Sequence, residues 1–262
     1  MESILVTARY TIIKCIRNPL AVIAFIAAPL LITCVLVGSV DNKISKGLTK
    51  SQIEQSKVNL QNNVINADES IVSTNDKVTM GSILLSLFYG AVLSSYLIIH
   101  DLKNGINTRL KSLPITKIKI LFGRSVGSIV SMSIFAFVLV IITSLLFNTN
   151  WGKNKLIIFA AIALFLVIEN SFGIVITGIS KNIYMCALLT FVVNFFMIFP
   201  VYVGAFSPIK IRGDLESISK LSFHNYVIKA VTTSSENALI ILFISAATMF
   251  VMSLFIGKKV LN

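Results

Sequence analysis

A chain of 262 residues that is 55% hydrophobic and only 13% charged is not built to fold in water, where about a quarter of residues carry charge; it reads as one polytopic membrane domain rather than two soluble ones. The net charge of +12 does not mark a nucleic-acid binder. The basic residues sit at the ends of apolar runs, where anionic lipid headgroups and a cytosolic partner are the fitting counterparts.

Residues 1–18 form an element of their own. Thr7, Thr11, Lys14 and Asn18 share one helical face, and Leu5, Ala8, Ile12 and Ile16 fall opposite, which predicts an amphipathic helix lying in the membrane interface. Arg9 falls near the apolar face and can snorkel to headgroups. The first apolar run follows this helix and is as long as a span, so a cleavable signal peptide is not expected.

A span needs ~20 apolar residues. Runs at 19–40, 79–100, 120–147, 156–177, 184–206 and 238–257 qualify. Pro29 is expected to kink the first of them. Residues 41–78 and 207–237 are then loops on one side, and 101–119 a loop on the other. The stretch 41–78 balances five basic against five acidic residues and reads as a small solvated excursion. The stretch 207–237, with Pro208, Gly213 and scattered apolar side chains, predicts short helices re-entering the outer leaflet before the last span. Short loops dense in Lys/Arg stay inside. Residues 101–119 carry five Lys/Arg and a single acid, so both chain ends are placed in the cytosol. The expected fold is an all-α, multi-pass membrane protein: an interfacial helix plus six spans, N-in and C-in.

The cysteines are Cys15, Cys34 and Cys186, each inside an apolar or amphipathic run, and no disulfide framework is implied. Cys34 faintly resembles a lipidation box, but Thr33 precedes it and the apolar run continues, so a packed thiol is the expectation. Nothing predicts catalysis. Gly173 and Gly178 have phosphate-loop spacing, yet Ile179 stands where the lysine must be. His100 and His224 fall on opposite sides of the membrane, so they form no metal site, and no nucleophile elbow occurs.

Glu169 is the single acid inside a span, and a charge there costs ~2.5–3.5 kcal/mol on insertion scales. Asn194 lies at a similar depth on the next, antiparallel span. The pair reads as an interhelical hydrogen bond, as part of a translocation path, or as a proton-coupled site. Ser82, Ser86, Gly90 and Ser94 stand four residues apart in the second span, and Gly123, Gly127 and Ser131 repeat the pattern in the third. Such stripes admit a close helix, either from the same subunit or from a second one.

The loop between the second and third spans has a distinctive spacing: Asp101, then Gly105, Arg109 with Leu110, and Pro114. Asp101 can cap a helix by accepting from its first free N–H groups. Gly105 permits a sharp bend, and Pro114 ends the segment before the next span. The charges alone would also serve to fix topology and bind anionic lipid. This acid, Gly, Arg-Leu and Pro pattern resembles the cytoplasmic coupling loop of ABC-2 type permeases, the membrane subunits of ATP-driven exporters. Gly123-Arg124 stands where Gly-Lys is usual there, and the break from Phe199-Pro200 to Pro208 is similar to the family's entry into its outer re-entrant segment. Asp101 replaces the usual Glu, Lys103 a second acid and Ile106 a Thr, and no Pro occurs near Phe223 to Tyr226.

The resemblance covers nearly the whole chain. It implies a non-catalytic permease in the plasma membrane, dimeric with a like or unlike second permease subunit and surrounded by membrane lipids. It binds no cofactor of its own; ATP and Mg belong to a separate cytosolic ABC ATPase. Asp101, Gly105, Arg109, Leu110 and Pro114 would couple to that ATPase. The competing classes are a non-transporting membrane sensor or assembly partner, and a membrane-embedded enzyme. The enzyme would need several ionisable groups converging at one depth, where only Glu169 is found.

Overall fold

The computed structural model describes residues 2–35, 38, 74–105, 116–152, 154–206 and 222–260, and among these every regular element is a helix. Helix α1 is Glu2–Ile16. A helical run over 19–35, α2, contains a π turn at Ile23–Ala27, where the Ala28 N–H donates to the Ile23 carbonyl. Pro29, where a kink is expected, follows this turn closely. Proline brings no N–H and crowds the carbonyl four residues back, and a widened turn just before it relieves both.

Thr74–Ser86 (α3) and Tyr89–Lys103 (α4) make the second span, interrupted at Leu87 and Phe88. Then come α5 at Lys117–Phe147, α6 at Lys155–Ser180, α7 at Ile183–Phe206, α8 at Phe223–Thr233 and α9 at Glu236–Val260. Among the described residues four stretches are long and apolar enough to cross a membrane: Thr79–Lys103, Lys117–Phe147, Lys155–Ser180 and Glu236–Lys258. They coincide with the second, third, fourth and sixth expected spans. Shorter apolar helices, Phe25–Val35 and Ile183–Ile198, occupy the first and fifth. Of the expected loop 41–78, residues 41–73 lie outside the described residues and 74–78 are already helix in α3; the loop segment 106–115 and most of the expected re-entrant stretch, 207–221, also lie outside.

The turns between spans have local causes. The Asn154 side chain caps α6 by accepting from the N–H groups of Leu156 and Ile157 at 3.1 and 3.4 Å. Helices α5, α6 and α8 each stop at a residue in left-handed conformation, Asn148, Lys181 and Ser234. The near-phosphate-loop stretch from Gly173 to Ser180 is continuous helix within α6, so it has no strand-to-helix turn in which to cradle a phosphate.

Helix α6 is the hub, packing against α4, α5, α7, α8 and α9. Closest approach occurs where side chains vanish. A Cβ at Gly173 would lie 2.2 Å from the Ala91 carbonyl of α4, and one at Gly127 would lie 2.5 Å from the Ala8 carbonyl of α1. Helix α1 therefore lies directly against α5, over Gly123 and Gly127.

That docking reverses part of the expected amphipathic pattern. Thr11, Ala8 and Cys15 are buried against α5, whereas Leu5, Val6 and Ile16 are half or more exposed. Ala8, placed with the lipid-facing set by periodicity, belongs to the packed face. The physical reason is size. The glycine-lined surface of α5 accepts only small side chains, and the Thr7 and Thr11 hydroxyls are already satisfied by donating to the carbonyls of Ser3 and Thr7. Cys34, expected as a packed thiol, is exposed; Cys15 and Cys186 are buried.

Candidate functional site

At the end of the second span three elements converge on one carboxylate. Asp101 lies in the last turn of α4 and is 2% exposed. Its Oδ1 is 2.5 Å from Lys14 Nζ of α1, and its Oδ2 is 2.8 Å from Arg124 Nη2 of α5. Arg124 is itself buried and holds Asp101 as an ion pair rather than through a directed hydrogen bond. A buried charge must be paired, because removing it from water costs several kcal/mol or more. Here one anion answers two cations from different helices.

The surroundings complete the cluster. Lys14 Nζ also lies 3.2 Å from His100 Nδ1, and the Asn104 amide contacts the same ring at 3.0 Å. The Tyr10 ring lies beneath the Lys14 ammonium, 5.8 Å from ring centroid to Nζ. Burial, and secondarily the Asp101 charge, raises the Tyr10 phenol above its ordinary value.

Asp101 is expected to cap the start of a cytoplasmic helix in its loop, whose residues 106–115 lie outside the described ones. It stands at the C-terminal end of α4, where its own helix offers no free N–H groups, and the two cations take its oxygens instead. Gly105 ends the helix region two residues past α4, at φ 67°, a conformation glycine adopts without strain. Arg109, Leu110 and Pro114 lie outside the described residues.

The intramembrane pair meets. Asn194 Nδ2 of α7 donates to Glu169 Oε2 of α6 at 3.2 Å, and both residues are buried. Beside Glu169, the Asn170 side-chain Oδ1 accepts from Ser94 Oγ at 2.5 Å. The stripe of Ser82, Ser86, Gly90 and Ser94 is buried within this one chain. Ser82 meets Thr33 of α2 at 2.7 Å, Gly90 faces Met132 of α5 and Glu169, and Ser94 adds Ser128 at 3.4 Å. Ser86 turns its hydroxyl back to the Ile83 carbonyl.

Sequence spacing alone missed Lys14 and Arg124 as partners of Asp101. One signal was available: Asp101 is the lone acid of a strongly basic loop, and a lone acid at a helix end attracts the nearest cations. Among the described residues no group of three or more His, Cys, Asp or Glu is placed to hold a metal. What the cluster does is tie α1, α4 and α5 together at one end of the bundle.

A family model described as ABC-2 type transporter matches residues 2–235. No curated protein matches the chain.

Proposed function

Because the chain belongs to the ABC-2 type transporter family and is a membrane-embedded permease of an ABC-type transporter, we propose that it exports substrate from the cytoplasm on ATP hydrolysed, with Mg, by a separate cytosolic ATPase subunit. The proposal includes a plasma-membrane location, N-in and C-in topology with six spans, and a second permease subunit, identical or not, across the transport path.

The observation that carries the coupling part is the grip of Asp101 on Lys14 and Arg124. The loop 101–119 begins on α4 and ends on α5. Its root is clamped to α5 and α1 by buried charge, so a push on the loop moves three helices as a unit rather than bending one. Leu110 is the apolar side chain we assign to a groove on the ATPase, where burial contributes ~1.5–3 kcal/mol. Arg109 is assigned to pair with a carboxylate at its rim. Gly105 and Pro114 bound the segment.

Leu110→Asp tests the reading. The variant should insert and assemble with its partner subunits yet lose both transport and substrate-stimulated ATP hydrolysis; normal export would remove the loop from the coupling path. Cysteines placed at Gln61 and Asn104, in a background without native thiols, test the topology. An impermeant maleimide added to intact cells should reach the first and not the second.

A further inference from the structure

A cavity of about 510 Å³ opens between α5 and α6 at the end where the hairpin residues 148–152 follow α5. Its walls are apolar, with Ile141 beside Phe137 and Phe159, whose rings meet edge to face at 6.0 Å. Its head end is polar: Thr149, Trp151 and Lys155 line it. Lys155 is exposed and no acid pairs with it among the described residues. The buried acid Asp76 does not line the cavity and accepts the Asn150 N–H at 2.9 Å.

A second observation points the same way. The Thr149 hydroxyl and the Trp151 indole N–H are buried and have no hydrogen-bond partner among the described residues. Buried donors are normally satisfied. Neither atom is open to water, and Lys155 is the side chain exposed to a head group.

An apolar slot between two membrane helices, with Lys155 the cation lining it among the described residues, matches an amphiphile with an anionic head. We propose that the cavity holds a single anionic phospholipid of the leaflet on the hairpin side. Its phosphate lies on Lys155, its head turns towards Thr149 and Trp151, and one acyl chain runs along Ile141 and the edges of Phe137 and Phe159. Charge complementarity selects an anionic over a zwitterionic head. The site needs no ATPase partner and stands apart from the ionic cluster around Asp101.

Trp151 is the protein's single tryptophan, so intrinsic fluorescence reports this cavity alone. The full-length protein is placed in phosphatidylcholine vesicles containing a low mole fraction of acyl-brominated lipid, either phosphatidylglycerol or phosphatidylcholine. Brominated phosphatidylglycerol should quench Trp151 with about five-fold higher relative affinity, the effect of one lysine at a membrane surface. Lys155→Gln, a change at an exposed position, should bring the two lipids to equality. Ala163→Phe, which narrows the cavity, should weaken quenching by both. Equal quenching in the unaltered protein, or a preference that survives Lys155→Gln, would overturn the assignment.

Discussion

The carboxylate of Asp101 lies 2.8 Å from the guanidinium of Arg124, across the root of the loop that joins α4 to α5. With Lys14 on its other oxygen, Asp101 is the shared anion of two buried or part-buried cations. The three substitutions are therefore unequal. Asp101→Asn leaves Lys14 and Arg124 facing each other without a counter-charge, and should destabilise by about 3–5 kcal/mol. Arg124→Gln leaves Asp101 with Lys14 and should cost less. The double variant should recover part of the Asp101→Asn loss. Thermal unfolding in detergent measures all three; equal losses for both single variants would mean that Asp101 is not the hub.

The contact of Gly127 with α1 predicts an inducible exposure. A side chain at Gly127 must displace the Ala8 backbone, since its Cβ would lie 2.5 Å from that carbonyl. Overpacking of this kind costs about 1–3 kcal/mol. Cys15, on the docked face of α1, is 0% exposed, and burial pushes its thiol up to about 11 despite the opposing effects of Ser131 and Lys14. With Cys34 and Cys186 replaced, Cys15 should resist maleimide at neutral pH in the parent and label readily in Gly127→Val. Continued protection in that variant would place the binding of α1 elsewhere.

Glu169 and Asn194 test how much a hydrogen bond contributes within the bundle. Such bonds average ~0.6 kcal/mol in membranes, with a maximum near ~1.7. A cycle through Glu169→Gln, Asn194→Ala and the double variant should show a coupling energy in that range. Strict additivity would mean that the 3.2 Å contact contributes nothing to stability.

His224, at the start of α8, supplies a pH dependence of known sign. Its ring is 1% exposed, packs edge-on against Phe165 and lies 3.4 Å from Ser222 Oγ. Burial holds its proton affinity down, at about 3 against an ordinary 6.5. The unfolded chain therefore takes up the proton first. The stability that comes from keeping His224 neutral is complete above pH 6.5 and is lost as pH falls towards 3. At pH 5 the loss should be about 2 kcal/mol. His224→Phe should flatten the melting temperature between pH 7 and pH 5 relative to the parent; an unchanged slope would assign the acid sensitivity to other groups.

Much of the helix layout was legible from residue order alone. The apolar runs at 79–100, 120–147, 156–177 and 238–257 became helices whose ends moved by only a few residues. In lipid every backbone polar group must be satisfied within its own segment, so a long apolar run has little choice but helix. Gly105 was also legible, because its backbone conformation is a local matter. The pairing of Glu169 with Asn194 could be anticipated because both helices leave one tight turn at Lys181, which sets their relative depth.

Two features were decided only by the tertiary structure. Periodicity divided α1 into two faces without saying which one packs. In water the apolar face goes inward, but lipid tails are as apolar as leucine, so in a membrane that rule loses its force and fit decides. The glycine-lined surface of α5 chose Ala8, Thr11 and Cys15 and left Leu5 and Ile16 outside. The second feature is the partnership of Asp101. Lys14 precedes it by 87 residues in the chain, and no spacing rule joins residues so far apart. Their meeting follows from α1 lying on α5 beside the end of α4, a consequence of packing that residue order determines only through the whole fold.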